Sequence, residues 1–178
     1  MYRMTSKLQA QNHTVPGGRR IQVRKSGVHG KGVFAARDIA KGEVLIEYLG
    51  ERITWEHALD RHPHDPSQPD HTFYFHVDEG WVLDANVGGN AARWINHSCE
   101  PNCEPALVES SSGDPARDHI VIEAMRDIRA GEELCYDYGI VLEVRHTRRM
   151  KQIWACRCGA GSCTGTMLKP KPRKRAEG

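Results

Sequence analysis

The chain has 178 residues, a length that suits one domain with a self-sufficient hydrophobic core. Its hydrophobic content of 39% and mean hydropathy of −0.61 are typical of a soluble globular protein and exclude a fibrous or membrane-embedded one. The formal charge of +2 hides an uneven distribution, because the last 34 residues hold ten of the 25 basic residues and one of the 23 acidic ones. Those residues therefore carry +9, and residues 1–144 carry −7.

In chain order, the sequence predicts a polar lead-in followed by short strands. Alternating or β-branched apolar runs predict strands near residues 21–23, 33–34, 44–49, 73–77 and 120–124. Thr54 predicts the cap of a short helix that ends at Pro63. One face of this helix is expected to hold Trp55, Ala58 and Leu59. A second helix is allowed over residues 140–151, and the chain ends in a basic tail that contains prolines.

One segment occurs twice. Residues 35–45, with the sequence AARDIAKGEVL, recur at 124–134 as AMRDIRAGEEL. Each copy predicts the end of a strand, a turn in which Gly42 or Gly131 takes a positive φ angle, and a new strand. Two such β units predict a mostly β fold with little helix.

Six cysteines stand at positions 99, 103, 135, 156, 158 and 163. The first residues contain no apolar segment like that of a signal peptide, so we expect an intracellular, reducing location, where clustered cysteines favour metal binding over disulfides. Cys156, Cys158 and Cys163 lie within eight residues and can hold one tetrahedral zinc if a fourth ligand comes from elsewhere. Cys99 is the candidate for that ligand.

The segment around Cys99 permits a second interpretation. Residues 89–103 (GNAARWINHSCEPNC) place Asn, His, Ser and Cys beside an apolar Trp-Ile pair, so their polar groups must find hydrogen bonds or a ligand. His97 and Cys99 would form the base and the nucleophile of a hydrolase, although no third catalytic group is evident. The glycine-dense segment 27–32 likewise predicts either a tight turn or a close approach of backbone to a ligand.

Several of these segments, in this order, resemble the SET-domain protein lysine methyltransferases. The matching motifs are GKGV at 30–33, EY at 47–48, NAARWINHSCEPN at 90–102, GEELCYDY at 131–138 and the cysteine spacing of 156–163. The resemblance covers about residues 21–168 and includes the zinc-binding post-SET segment of that family. The central motif is most similar to the trithorax and mixed-lineage-leukaemia branch.

The resemblance implies a SET (β-clip) fold of short strands and few short helices, with a knot-like C-terminal core where residues 96–99 meet residues 136–138. It implies a zinc ion held by Cys99, Cys156, Cys158 and Cys163, while Cys103 and Cys135 stay ordinary thiols. The implied cofactor is S-adenosylmethionine, with Trp154 or Leu168 over its adenine. The residues implied to bind it are Gly30, Lys31, Gly32, Arg93, Asn96, His97, Tyr138, Trp154 and Leu168.

The reaction that the resemblance implies is methyl transfer to a lysine amine in an aromatic channel. Tyr138 would orient the amine and the methyl group, and Tyr48 and Phe75 would line the channel. Tyr136 stands where the family has either Phe or Tyr, and a hydroxyl there implies mainly monomethylation. Close relatives have a tyrosine where this chain has Phe73, so one hydroxyl of the lysine pocket is missing.

These expectations divide the chain into a flexible lead-in (1–20), a SET domain (21–150), a post-SET zinc segment (151–168) and a basic tail (169–178). The expected partner is a lysine-bearing histone or histone-like protein; no membrane contact is expected, and the tail suits weak nucleic-acid contact or a nuclear address. The expected location is the nucleus or chromatin in a eukaryote, and the cytoplasm or a host cell for a bacterial protein. The alternative is a catalytically silent SET module that binds protein or nucleic acid.

Overall fold

The computed structural model describes residues 7–8, 19–61, 74–77, 80–141 and 144–170. Short strands dominate these ranges, so the predicted mostly β architecture is confirmed. The helices are α1 (Trp55–Arg61), α2 (Arg148–Ile153) and two 3₁₀ helices, Ala91–Trp94 and Pro115–Arg117. The strands are β1 (Lys7–Leu8), β2 (Ile21–Lys25), β3 (Lys31–Ala35), β4 (Val44–Glu47), β5 (Glu51–Thr54), β6 (Tyr74–His76), β7 (Trp81–Asp84), β8 (Asn96–His97), β9 (Cys103–Val108), β10 (His119–Ala124) and β11 (Glu133–Tyr136).

The described strands form three small sheets. Two of them have four strands, in the orders β1-β9-β10-β4 and β2-β3-β11-β8, and the third has three strands, in the order β5-β7-β6. Strand β10 runs antiparallel to both of its neighbours. Three consecutive residues of β10, Ile120, Val121 and Ile122, are buried, and because successive side chains point to opposite faces, both faces of this strand are covered. The main hydrophobic core therefore lies around β10.

The repeated segment forms two turns that pair with each other. Ile39 and Ile128 exchange backbone hydrogen bonds of 2.8 Å in both directions. Asp127 accepts from a backbone N–H of the first turn at 2.9 Å, and Asp38 accepts from a backbone N–H of the second turn at 2.8 Å. The two copies of the repeat thus make the same contacts with each other in both directions.

The turn glycines confirm the predicted backbone conformation. Gly42 and Gly131 have φ angles of 80° and 89°, in the region that favours glycine. The N–H of Gly42 donates to the carbonyl of Ala124, and the N–H of Gly131 donates to the carbonyl of Ala35, both at 2.8 Å. Since the first copy connects β3 to β4 and the second connects β10 to β11, the repeat ties the two four-stranded sheets together.

The predicted meeting of residues 96–99 and 136–138 is confirmed. Strand β8 runs parallel to β11, with Cys135 opposite Asn96 and Tyr136 opposite His97. The N–H of Ser98 continues this pairing and donates to the carbonyl of Tyr136 at 3.1 Å. Parallel pairing of two very short strands requires a long connection between them, and that connection is the whole segment 98–132.

The predicted start of the second helix, at residue 140, is wrong, because the observed helix begins at Arg148. Ile140 forms a parallel β-bridge with Leu168, and its carbonyl accepts from the N–H of Lys169 at 2.8 Å. The helix begins only after Thr147, whose Oγ1 accepts from the N–H of Met150 at 3.2 Å. A backbone partner distant in sequence therefore overrides the local helical spacing at residue 140.

Helix α1 is capped as predicted, and the two residues of its predicted face whose burial is described differ in exposure. Thr54 Oγ1 accepts from the N–H of His57 at 3.1 Å. Ala58 is buried, whereas Trp55 is 38% exposed and packs edge-on against His76 at 6.5 Å between ring centroids.

Pro63, Phe73 and the tail beyond residue 170 lie outside the described residues. Across the described ranges, no helix has the length and apolar character needed to span a membrane.

Candidate active site and metal centre

The glycine-dense segment is a tight turn that also forms one wall of a cavity. Ser26 Oγ accepts from the N–H groups of Val28 and His29 at 2.9 and 3.3 Å, and the Ser26 N–H donates to the carbonyl of Gly30 at 2.9 Å. Gly30 takes a φ of 47°. The cavity is lined by Val28, His29, Gly30 and Lys31. The predicted tight turn is therefore confirmed, and the position of the turn at the cavity wall is compatible with the second interpretation, a close approach of backbone to a ligand, which stays a prediction.

Asn96 ties this turn to the centre of the fold. Its Nδ2 donates to the carbonyl oxygens of His29 and Lys31 at 3.3 and 3.0 Å, and to Glu133 Oε1 at 2.8 Å. Gly32 leaves the room that this carboxylate occupies, because a Cβ there would lie 2.2 Å from Glu133 Oε1. The side chain of Asn96 thus fixes the position of the turn relative to β8 and β11.

The cavity has a volume of about 600 Å³, within the range of small-molecule binding sites. One part of its wall is the glycine turn. A second part consists of Arg93, Trp94, Asn96, His97 and Tyr138. The third part comes from α2 and the segment that follows it, namely Gln152, Ile153, Ala155, Cys156, Arg157 and Met167.

Cationic side chains dominate the charge of the cavity. Lys31 Nζ and Arg93 Cζ each lie 4.7 Å from the ring centroid of Trp94, which is cation–π distance. Arg157 also lines the cavity, and none of the described lining residues is acidic. The site therefore suits a ligand that carries a carboxylate.

The structure brings six of the nine implied cofactor residues to this cavity, and these are Gly30, Lys31, Arg93, Asn96, His97 and Tyr138. Gly32 does not line the cavity, and its lack of a side chain leaves room for the Glu133 carboxylate. Trp154 and Leu168 are buried, at 8% and 5% exposure, but neither is among the residues that line the cavity. Their neighbours Ile153, Ala155 and Met167 line it instead.

Aromatic side chains continue from the cavity into the core as a contiguous row. The ring centroids of Tyr48 and Phe75 lie 5.0 Å apart, those of Phe75 and Tyr136 lie 6.4 Å apart, and those of Tyr136 and Tyr138 lie 5.0 Å apart. These separations are typical of packed aromatic pairs. All four predicted channel residues therefore lie together, and Tyr138 belongs to both the row and the cavity.

A hydrogen bond to the backbone fixes the orientation of the Tyr138 hydroxyl. It donates to the carbonyl of Ile95 at 2.8 Å. A phenol whose proton is donated to a carbonyl offers its oxygen as an acceptor to other groups.

At the far end of the row, burial raises the pKa of Tyr48 well above its ordinary value, although nearby Arg93 opposes the shift. Tyr48 is therefore a neutral wall of the row at physiological pH.

Four cysteines form a compact cluster beside the cavity. The Sγ atoms of Cys99, Cys156, Cys158 and Cys163 all lie within 4.8 Å of one another, and Cys99 Sγ is 3.8 Å from that of Cys156 and 3.9 Å from that of Cys163. A tetrahedral zinc with bonds of about 2.3 Å would separate its sulfur ligands by about 3.8 Å. The four thiols therefore have the number, chemistry and spacing to hold one zinc ion.

Backbone groups and a carboxylate fix the segment that carries three of these cysteines. The N–H groups of Cys158 and Gly165 donate to the Sγ atoms of Cys156 and Cys163, both at 3.4 Å. Donors of this kind suit thiolates, because they stabilise negative charge on sulfur. Glu100 Oε1 accepts from the N–H of Ser162 at 2.9 Å and from its hydroxyl at 2.7 Å, and these bonds lower the pKa of Glu100.

The remaining cysteines lie outside the cluster. Cys103 is buried and its thiol donates to the carbonyl of Cys135 at 3.3 Å. Burial raises the pKa of both Cys103 and Cys135, so both are protonated at neutral pH. These two residues have the character of ordinary thiols, as expected.

His97 lies between the cysteine cluster and Tyr138. Its Nδ1 accepts from the Tyr138 N–H at 3.1 Å, and its Nε2 is 3.7 Å from Cys99 Sγ. Burial is the main reason that the pKa of His97 is lowered, and Asp137 opposes the shift. The pairing of His97 with Cys99 that a hydrolase needs is therefore present. However, Cys99 belongs to the four-cysteine cluster, which favours metal binding over a nucleophilic role.

Sequence comparison places this arrangement among known proteins. A profile described as "SET domain" matches residues 30–139. The chain is 38% identical over 148 residues to a putative histone-lysine N-methyltransferase 1 of Plasmodium falciparum, and 38% identical over 143 residues to the histone-lysine N-methyltransferase trithorax of Drosophila melanogaster. These alignments cover 83% and 80% of the chain but only 2% and 4% of the relatives. The chain thus spans a small fraction of those proteins.

Solved structures share the fold. A structure of ctPRC2 in an autoinhibited conformation bound to S-adenosylmethionine matches with a TM-score of 0.61 and 34% identity, over 69% of this chain and 15% of that one. The crystal structure of the Chaetomium thermophilum polycomb repressive complex 2 matches with a TM-score of 0.61 and 33% identity, over 70% of this chain and 16% of that one. The expected SET fold is therefore confirmed, whereas the domain boundaries stay a prediction.

Proposed function

The chain belongs to the SET domain family, and from this premise we propose that it is an S-adenosylmethionine-dependent protein lysine N-methyltransferase. The observation that carries the proposal is the position of Tyr138, which lines the 600 Å³ cavity and ends the aromatic row. One side chain thus stands where a cofactor in the cavity and a lysine in the row would meet.

The cavity residues have the chemistry that this cofactor requires. Lys31, Arg93 and Arg157 suit its carboxylate, and the apolar side chains of Ile153 and Met167 suit its adenine. When bound, S-adenosylmethionine supplies a methyl group that is activated by the sulfonium. One solved relative is described as bound to S-adenosylmethionine, which supports the choice of cofactor.

The aromatic row prepares the lysine. A free lysine amine has a pKa of about 10.4, so it is protonated and not nucleophilic at neutral pH. Aromatic walls exclude water and disfavour the ammonium, which lowers that pKa. Tyr138, with its own proton donated to Ile95, accepts a hydrogen from the amine and directs the nitrogen lone pair toward the cavity. The chain thereby supplies desolvation and orientation.

The cysteine cluster would hold zinc as a structural ion. All four ligands come from the protein, so no position is open for catalysis. Cys156 is both a cluster member and a wall of the cavity. The metal would therefore keep the segment after α2 closed against the bound cofactor.

We propose a histone or histone-like protein as substrate, because the similar relatives are named histone-lysine N-methyltransferases. Tyr136 favours monomethylation as the main outcome, since its ring packs 5.0 Å from that of Tyr138 between centroids and its hydroxyl can restrict the turning of a methylated amine. A chromatin location for a eukaryotic protein stays part of the same prediction.

The experiment that tests the proposal is mass spectrometry of basic proteins after incubation with labelled S-adenosylmethionine and the protein. We expect wild type to add methyl groups to lysine, and Tyr138→Phe to reduce the rate about 100-fold or more, because the amine loses its orientation. Tyr74→Phe is the matched control. It removes a hydroxyl that donates to the Ala58 carbonyl at 3.3 Å, away from the row, and should keep the rate.

Two outcomes would count against an enzyme. Cofactor binding by wild type without transfer to any protein would favour the catalytically silent module. The absence of both cofactor binding and transfer would remove the methyltransferase proposal altogether.

A further inference from the structure

His97 is a buried imidazole that contacts the two functional parts of the site at once. Its side chain is 7% exposed. One ring nitrogen, Nδ1, lies 3.1 Å from the backbone nitrogen of Tyr138, and the other, Nε2, lies 3.7 Å from Cys99 Sγ. The ring also packs edge-on against the ring of Tyr138, with 5.3 Å between centroids. His97 thus bridges the four-cysteine cluster and the residue that orients the amine.

The direction of each hydrogen bond follows from the backbone. An amide N–H can only donate, so Nδ1 must accept from Tyr138 and carries no proton. In a neutral imidazole the single proton is then on Nε2, which faces Cys99 Sγ. The arrangement is therefore a chain of donors from the Tyr138 amide through the ring to the sulfur.

We propose that His97 is a positioning residue that couples metal binding in the four-cysteine cluster to the placement of Tyr138. This proposal rests on the zinc site of the proposed function. A metal-bound sulfur is a thiolate, and a thiolate is a stronger hydrogen-bond acceptor than a thiol. The metal therefore fixes the ring through Nε2, and the ring fixes the backbone of Tyr138 through Nδ1.

Asp137 lies near the ring but does not bond to it, because its carboxylate and the unprotonated Nδ1 are both acceptors. Asp137 Oδ1 lies 3.9 Å from Nδ1, and the other carboxylate oxygen of Asp137 pairs with Lys169. Asp137 Oδ1 also accepts from the N–H of Gly139 at 2.9 Å. These bonds order the backbone around Tyr138 from the opposite side. Within the described part of the chain, His97 contacts both the Tyr138 backbone and the Cys99 sulfur.

Two substitutions separate the link from the bulk of the ring. His97→Phe keeps an aromatic ring but has neither an acceptor nor a donor nitrogen, whereas His97→Gln keeps one acceptor and one donor on a side chain of similar reach. The 178-residue chain and its variants are loaded with Co²⁺, and the thiolate-to-metal absorption bands and the affinity in competition with a chelator are measured. Far-UV circular dichroism and thermal melting check folding of each variant.

For His97→Phe we expect metal affinity to fall 10–100-fold, as observed when outer-shell partners of metal ligands are removed. The cobalt absorption should shift, and kcat should fall. His97→Gln should recover most of each loss. In wild type, exchanging zinc for cadmium should shift the Tyr138 amide resonance in a ¹H–¹⁵N spectrum, and in folded His97→Phe this shift should vanish.

The readouts distinguish failure of this link from failure of the proposed function. A folded His97→Phe with wild-type metal affinity and cobalt spectrum would overturn the coupling, even if kcat fell. A wild-type protein that binds no Co²⁺ through thiolates would overturn it as well. If wild type transfers no methyl group, the enzyme proposal fails, yet the response of the Tyr138 amide to the metal still decides for or against the coupling.

Discussion

Tyr136 lies between Phe75 and Tyr138 in the aromatic row, and we propose that its hydroxyl limits how freely a methylated amine can turn. We predict that Tyr136→Phe raises the share of dimethyl- and trimethyl-lysine at the expense of monomethyl-lysine. The change removes only an oxygen, and the packing at 5.0 Å from Tyr138 and 6.4 Å from Phe75 should persist. Mass spectrometry of one substrate lysine over time gives the product ratio.

An unchanged product ratio for Tyr136→Phe would show that Tyr136 does not set the extent of methylation. Tyr74→Phe again provides the control, because its hydroxyl donates to the carbonyl of Ala58 outside the row. A change in ratio for both variants would point to a general loosening of the fold.

At the same scale, residue type decides what a sequence can predict about this site. The cysteine cluster was predictable because three thiols within eight residues suit one zinc ion and need a fourth ligand, for which Cys99 was the candidate. Met167 was not distinguishable from Leu168, since both are apolar neighbours and only the path of the chain decides which one faces the cavity. The contact of Glu100 with Ser162 joins polar groups 62 positions apart, for which no sequence pattern exists.

At the scale of secondary-structure elements, local patterns predicted the strands better than the helices. The alternation at Ile21 and Val23 and the apolar run of β10 correspond to observed strands. The start of α2 was wrong because Ile140 bonds to Leu168, a partner 28 residues away that local spacing does not contain. The parallel pairing of β8 with β11 came from family resemblance, since a two-residue strand carries no periodic signal.

The paired turns of the repeat provide a test of element stability. We predict that Gly131→Ala destabilises the fold by about 1–2 kcal/mol, because an alanine must adopt the φ of 89° that glycine adopts freely. A Cβ at this position meets nothing within 4 Å, so the cost belongs to the backbone alone. Denaturant or thermal unfolding measures it, with a decrease in Tm of several degrees expected.

Gly27→Ala is the matched control for that measurement. Gly27 also has open space around a Cβ, but its φ lies outside the left-handed region. Equal stability of the two variants would contradict the assignment of backbone strain to residue 131.

At the scale of the whole molecule, the four aromatic residues of the row all lie in the part of the chain that carries −7, and the cysteine segment lies in the part that carries +9. A lysine-bearing substrate with many basic residues would meet the first part, and phosphate groups of nucleic acid would meet the second. The net charge of +2 therefore describes neither part of the chain. The two contacts should respond to salt separately.

We predict that KM for a basic lysine peptide rises several-fold between about 50 and 200 mM NaCl, because salt screens charges that lie more than about 10 Å apart. The value of kcat should stay nearly constant, since the row is shielded from solvent ions.

Removing residues 171–178 deletes four basic residues and one acidic residue, and it spares Lys169, which pairs with Asp137. This truncation should keep the peptide KM and its salt dependence but weaken binding to DNA-wrapped substrate. A KM that does not change with salt would mean that charge plays no part in substrate recognition, and an altered peptide KM after truncation would place the basic end at the peptide site instead.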